Sequence, residues 1–332
     1  MASPRVRIEE TRQASAAEWD EFWETSAEAT YFHSREWAEV WSRYAPPLEP
    51  YALLFTLSDG ARLLFPASSR PALRGLGRAL IASPGGTYGG LLGDAAASPA
   101  HRALAVRAIE RAALEITWRV NPFAPQPDAS SKGWNEQPDN TLALDLEAGF
   151  DVIRRGFTKG HRSAAAKAER EGVTVERASS LADWQAYFAV YEETLARWGD
   201  EARTRYRWEL FAALESLGSS HVSLWLARIR SEILAGALCL GSQTHVAYWH
   251  GAVRSKALEV RPVHLLVRSS IEEACSRGLN WYDFNPSGGL GGVEHFKRGF
   301  GASPRAAPLL HYERPILTTG RRLRALLTGG GA

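Results

Sequence analysis

Apolar residues recur along this chain with two periods, and the places where the period changes divide it into helices and strands. Residues 16–26 set Trp19, Phe22 and Trp23 on one helical face. Ser34 is the N-cap of a second predicted helix, whose stripe of Trp37, Val40, Trp41 and Tyr44 is stopped by Pro46-Pro47. Residues 5–9 read as a short strand. Residues 51–57 and 62–67 flank Ser58-Asp59-Gly60-Ala61, which predicts a hairpin because Asp-Gly accepts the positive dihedrals of a tight turn. The glycine-rich run 83–90 leads to a helix over 98–116 with Leu104, Ile109, Ala112, Ala113 and Ile116 on its buried face. The polar run 126–140 has neither period and reads as a surface loop before a strand at 142–146.

The second half is more regular. Residues 150–171 form a helical stretch broken around Gly156 and Gly160, carrying Arg154, Arg155, Lys159, Arg162, Lys167 and Arg170 with few acids. A strand at 173–176, helices at 182–198 and 205–217, and three strands beginning at Val222, Ile233 and His245 follow. Pro262 opens a helix as its first residue and Gly278 closes it. The aromatic strand 281–284 comes next, and a last strand is predicted at 307–312. The first half repeats the early part of this order, which implies an internal duplication. The predicted domains are 1–148 and 149–306, with 307–332 a strand and tail that returns toward the first. The tail is basic at 321–324 and frayed at its Thr-Gly-Gly-Gly end.

Composition narrows the class. A length of 332 residues favours two domains, and 45% hydrophobic with 23% charged residues is ordinary for a globular protein. A formal charge of +2 is too slight for a general nucleic-acid binder, so DNA is not an expected partner. The start of the chain has no apolar signal segment and no run is long enough to span a membrane, which gives a cytoplasmic expectation. Cys239 and Cys275 lie in apolar segments and read as core, and no side-chain cluster has metal-ligand spacing. Walker, dinucleotide and G-x-S-x-G motifs are missing as well.

The candidate chemistry concentrates in 281–302. Trp281-Tyr282-Asp283-Phe284 is a buried strand that Asn285-Pro286-Ser287-Gly288-Gly289 must end. Gly291-Gly292 prolong the loop, and residues 293–298 make one or two helical turns closed by Gly299 and Gly301. A strand, glycine loop and short basic helix can aim backbone amides and a lysine at an anionic or carbonyl-bearing ligand. The same glycines also fit a purely conformational role.

This element order resembles the fold of GNAT-type N-acetyltransferases, and two such units in tandem resemble the Fem family of peptidoglycan bridge aminoacyltransferases. Phe296-Lys297-Arg298-Gly299-Phe300-Gly301 is similar to the family's terminal FK-x-x-FG motif, and the stretches beginning at His161-Arg162-Ser163 and Phe32-His33-Ser34 are also similar. The resemblance implies an α/β chain of two tandem acetyltransferase-like (GNAT) domains, each a mixed, mainly antiparallel sheet flanked by helices. It implies transfer of an acyl or aminoacyl group to an amine, with Phe296 and Lys297 catalytic and the acceptor an envelope precursor of the peptidoglycan type. No cofactor is required; aminoacyl-tRNA is the implied donor. The chain lacks the heptad insertion of some Fem proteins, so tRNA contact would use another surface. An acyl-thioester donor is the alternative, although residues 256–264 lack the glycines that hold the coenzyme A pyrophosphate. A silent tandem domain binding a nucleotide-linked or RNA ligand through 154–170 is a further alternative.

Several residues join the candidate site with two readings each. Arg162 and Lys167 reach an anionic carrier or lie on a solvated face. Tyr248 and His250 sit where such folds splay their strands; His250 is a base near neutral pH or a satisfied core histidine. Arg261 can hold a phosphate at its helix N-terminus. Asp283 orients an amine or caps the turn, and Asn285, Gly288 and Gly289 supply the ligand-binding loop.

Overall fold

Serines start the helices of the first half, because each hydroxyl satisfies an amide that the first turn leaves without a partner. The computed structural model describes residues 6–127, 129–202 and 204–314. Helix α1 (Ala16–Thr25) begins at a Ser15–Glu18 capping box, α2 (Arg35–Tyr44) at Ser34, and α3 (Pro99–Ala112) at Ser98. Strands β1 (Ile8–Gln13), β2 (Glu49–Leu57), β3 (Arg62–Ala72), β4 (Gly77–Ile81), β5 (Leu92–Gly93), β6 (Glu115–Arg119) and β7 (Trp134–Gln137) complete this stretch.

The second half contains β8 (Asn140–Asp145), α4 (Phe150–Gly156), α5 (Lys159–Arg170), β9 (Thr174–Arg177), α6 (Leu181–Trp198), α7 (Trp208–Ser216) and β10 (Val222–Ile229). It continues with β11 (Glu232–Gly241), β12 (His245–Val253), α8 (Pro262–Ser276), β13 (Trp281–Asp283), α9 (Gly291–Arg298) and β14 (Ser303–Ala306), and β15 (Leu309–Glu313) follows.

Two units result: Met1–Asp139 with the segment from Ala306, and Asn140–Arg305. The first sheet runs β1-β2-β3-β4-β6-β15-β7, with β5 beside β3; the second, read from its far edge, runs β9-β10-β11-β12-β13-β8-β14. The two orders correspond strand for strand. In each, one pair is parallel, β4 with β6 and β12 with β13, and the recorded neighbours around them are antiparallel. A helix precedes the second strand of each parallel pair, as a parallel crossover requires. Each unit has its own core: Phe55, Phe65, Ile109 and Trp118 in the first, Leu144, Leu266, Tyr282 and Phe300 in the second.

Several details differ from the periodic reading. The helix ends at Ala112, not 116, because Ile116 and Trp118 alternate into β6 and are fully buried there. Strands β4 and β7 were not predicted. β7 lies inside the polar run 126–140, and it forms because it pairs with β15, remote in sequence, while Trp134 packs on Trp118 and Tyr312. The strand expected to close the first domain, at 142–146, is β8, and it pairs with β13 in the second sheet. The segment expected to return to the first domain contains β15, which pairs with β6 and β7. The basic 321–324 and the glycine end lie outside the described residues. Among the described residues no helix is long and apolar enough to cross a membrane.

Candidate active site

The site begins where two parallel strands stop pairing. β12 and β13 are in register only from His245↔Trp281 to Ala247↔Asp283. Beyond that the chain turns at Asn285, whose φ of 58° is a left-handed conformation that asparagine tolerates better than most side chains. Three hydrogen bonds hold it. Its N–H donates to Asp283 Oδ1 (3.0 Å), its Nδ2 donates to the Tyr248 carbonyl (3.2 Å), and its own carbonyl accepts from Lys297 Nζ (2.6 Å). Asp283 is fully buried, accepts the Thr141 hydroxyl, and lies 3.6 Å from His245 Nε2. Of its two readings, capping the turn is the one observed.

On its other side β12 carries a bulge, since Leu238 opposes His250 but Cys239 opposes Tyr248, leaving Trp249 as the extra residue. The Tyr248 phenol folds over Gly251, where a Cβ would stand 1.9 Å from its oxygen. Burial pushes that phenol well above its ordinary pKa. The opened strands, the start of α8, the 284–290 loop and α9 border a pocket of about 550 Å³. It gathers Tyr248, His250, Arg261, Asn285, Gly288, Phe296 and Lys297 from the predicted set, and among the described residues no Asp or Glu lines it.

Lys297 is 4% exposed, so its ammonium is removed from water and points at the backbone of the turn. Its helix is held from below by His161, which opens one of the stretches similar to the Fem family. The carbonyl of Phe296 can only accept, so the 2.9 Å contact puts the proton on His161 Nε2, and Nδ1 then accepts from the Thr158 hydroxyl at 3.0 Å. The Thr158 amide donates to the Gly299 carbonyl (2.9 Å). Gly299 is needed for this contact: a Cβ there would lie 1.9 Å from the His161 ring. Phe296, Phe300 and His264 enclose that ring, with centroids at 5.5, 4.6 and 4.8 Å. Two separated motifs thus make one contact.

Four expectations change. Arg162 donates to the carbonyls of Arg155 and Phe157, closing the end of α4, and does not line the pocket. Lys167 is half-buried on α5 and Gly289 lies in the turn with φ of 76°; neither lines the pocket. His250 is no base near neutral pH. It bonds Tyr187 through Nδ1 (2.6 Å), and burial pushes its pKa down to about 3. Burial, then the nearby His161 and Arg261, push His264 down to about 4, and burial also lowers His161. Arg261 is exposed at the pocket with φ of 63°.

These histidines tie stability to pH. A histidine whose folded pKa is depressed takes its proton more readily in the unfolded chain. Stability is therefore complete above the unfolded value of about 6.5 and is lost as pH falls toward 4 and 3. Between pH 7 and 5 urea unfolding is expected to lose roughly 1–2 kcal/mol for each of His250 and His264. His264→Phe should lose less over that interval; an equal loss would place the proton uptake elsewhere.

Comparison with known proteins agrees with this geometry. A family model described as an acetyltransferase (GNAT) domain matches residues 155–298. FemX superposes with a TM-score of 0.71 at 16% identity, covering 93% of this chain and 99% of its own. A protein from Agrobacterium fabrum described as the C-terminal domain of a lysylphosphatidylglycerol synthetase gives 0.58 at 13%, covering 96% and 98%. L-PGS from Bacillus licheniformis gives 0.55 at 14%, covering 91% and 93%. No curated protein sequence matches the chain. Residues 155–298 are therefore similar to an acetyltransferase (GNAT) domain, and the chain as a whole has the fold of FemX.

Proposed function

We propose that this chain is an acyl-transfer enzyme of the Fem-like type, which moves an acyl or aminoacyl group from an activated ester onto an amine of an envelope precursor. The observation that carries this reading is the buried Lys297 ammonium, fixed on the Asn285 carbonyl at the mouth of the opened strands, in a pocket where no described residue supplies a carboxylate. A fixed cation in a water-poor site stabilises the oxyanion that forms when an amine attacks an acyl carbon. The N–C bond forms, the bond from the acyl carbon to the donor oxygen breaks, and the amine proton leaves with the departing group or water. The lysylphosphatidylglycerol synthetase is named for an aminoacylated lipid, and aminoacyl-tRNA is the donor class that the Fem resemblance supports.

Coenzyme A is the less suitable donor. Pyrophosphate capture at a helix start needs free amides. At α8, Pro262 has no N–H and the His264 amide is already bonded to the Arg261 carbonyl (3.1 Å).

Neither lining histidine, His250 nor His264, keeps an ordinary pKa, and among the described residues no acid lines the pocket. The acceptor amine must arrive unprotonated, so turnover should rise with pH along one limb set by that amine. The test is mass-spectrometric detection of amide product from aminoacyl-tRNA and a nucleotide-linked muropeptide bearing a free amine, across pH 6–9. Product with a single rising limb supports the proposal. Binding without product from aminoacyl or thioester donors would sink it, and a limb with a pKa near 6–7 would show a protein base.

A further inference from the structure

The wall of this pocket has an uneven chemistry. Its polar groups are largely engaged inside the protein. The Thr194 hydroxyl bonds the carbonyls of Val190 and Val253, each at 3.0 Å, and Arg197 Nη1 bonds the Val253 carbonyl (2.9 Å) and the Ser255 hydroxyl (3.2 Å). The Tyr191 hydroxyl accepts the Tyr206 amide (3.0 Å) and Asn285 Nδ2 donates to the Tyr248 carbonyl, whereas Asn285 Oδ1 and His264 Nδ1 make no hydrogen bond. Tyr191 and Tyr206 bring aromatic rings to the lining. Leu195, Val253, Leu258 and Val263 add aliphatic wall. At the lining, Trp198 and Leu258 are 40% and 43% exposed, although large apolar side chains are normally covered. The charged residues described on the lining, Arg197, Arg261 and Lys297, are all basic.

We propose that the pocket takes an elongated apolar acyl chain, with its carbonyl or carboxylate head toward Arg261 and Lys297. This rests on the reading of the pocket as an acyl-transfer site and, of the acyl and aminoacyl groups which that reading allows, takes the acyl one: a medium- or long-chain group carried on an activated ester in place of an aminoacyl donor. A small polar aminoacyl group would leave the aliphatic wall wet. A nucleotide would find aromatic faces, yet few unengaged polar groups to read its base edges. A volume of about 550 Å³ lies within the range of sites that enclose a ligand of that size.

Calorimetric titration of the whole chain with acetate, octanoate and dodecanoate tests this, with adenosine monophosphate as the rival. Each pair of added methylenes should tighten binding by about tenfold until the pocket is full. Leu258→Asp, at a part-exposed position that tolerates the change without unfolding, should weaken dodecanoate at least ~10-fold and leave the melting temperature unchanged. Affinity independent of chain length, tighter binding of the nucleotide, or dodecanoate binding that survives Leu258→Asp would each overturn the proposal. The catalytic reading is separable. Chain-length dependence with full turnover in Lys297→Met would keep the ligand class and remove the catalytic assignment.

Discussion

Lys297→Met is expected to stay folded and to lose ~10²-fold or more in turnover. Two effects on stability oppose each other. The Asn285 carbonyl loses its 2.6 Å partner, a cost of about 1–3 kcal/mol for a buried acceptor. The buried ammonium, 4% exposed, is removed together with the desolvation that it suffers. The methionine keeps most of the aliphatic stem, so the net change in folding should stay within ~2 kcal/mol. The transition state has no such compensation, because methionine offers neither charge nor a hydrogen-bond donor to the tetrahedral oxygen. Urea unfolding and single-turnover kinetics on the same sample separate the effects. Lost turnover with a native unfolding curve supports the role, whereas parental turnover makes Lys297 a structural partner of the turn alone.

Gly299→Ala is expected to be among the most damaging small substitutions in the chain, for a reason unrelated to backbone freedom. Gly299 has φ −62° and ψ −20°, an ordinary right-handed conformation in which alanine is preferred by about 1 kcal/mol. The obstacle is the His161 ring, whose atoms would stand 1.9–2.4 Å from the new methyl. The ring cannot step aside cheaply, since Phe296, Phe300 and His264 enclose it and its Nε2 is bonded to the Phe296 carbonyl. Overpacking and the lost hydrogen bond together should cost ~2–4 kcal/mol. Displacing His161 also releases the carbonyl next to Lys297, so turnover should fall. Combining it with His161→Ala gives a decisive check. In that background the methyl has room, and Gly299→Ala should become neutral or stabilising. A penalty of equal size in both backgrounds would show that the ring is not the obstacle.

Several elements were legible because their signals are local. The serine cap before α2, the Asp59-Gly60 turn and Pro262 at the start of α8 act within a few residues, and each lies where the pattern put it. The repeated order was legible too, and the two sheets share it strand for strand. β7 and β8 were not legible in the same way. A polar tetrapeptide becomes a strand only because β15 supplies its hydrogen bonds, and β8 joins the second sheet only because β13 is there to pair with it. The end of the helix before β6 was missed because Ile116 serves either a helical or an alternating face until the sheet is known.

The site divides along the same line. By itself the sequence determined that a lysine, an aromatic pair and a tight glycine-containing turn fall within one short stretch, since adjacency along the chain keeps Asn285 and Lys297 close whatever surrounds them. It also determined that any specific anion site must be local, because the overall charge is nearly balanced. Tertiary structure decided what each group does. It sealed Asp283 into the turn, spent Arg162 on the end of α4, and buried His250 until its imidazole is a neutral partner of Tyr187. It brought His161 under α9 across 135 positions of sequence and made Gly299 necessary. Burial and long-range contact set the charge state and direction of a side chain, and neither is a property of its neighbours in sequence.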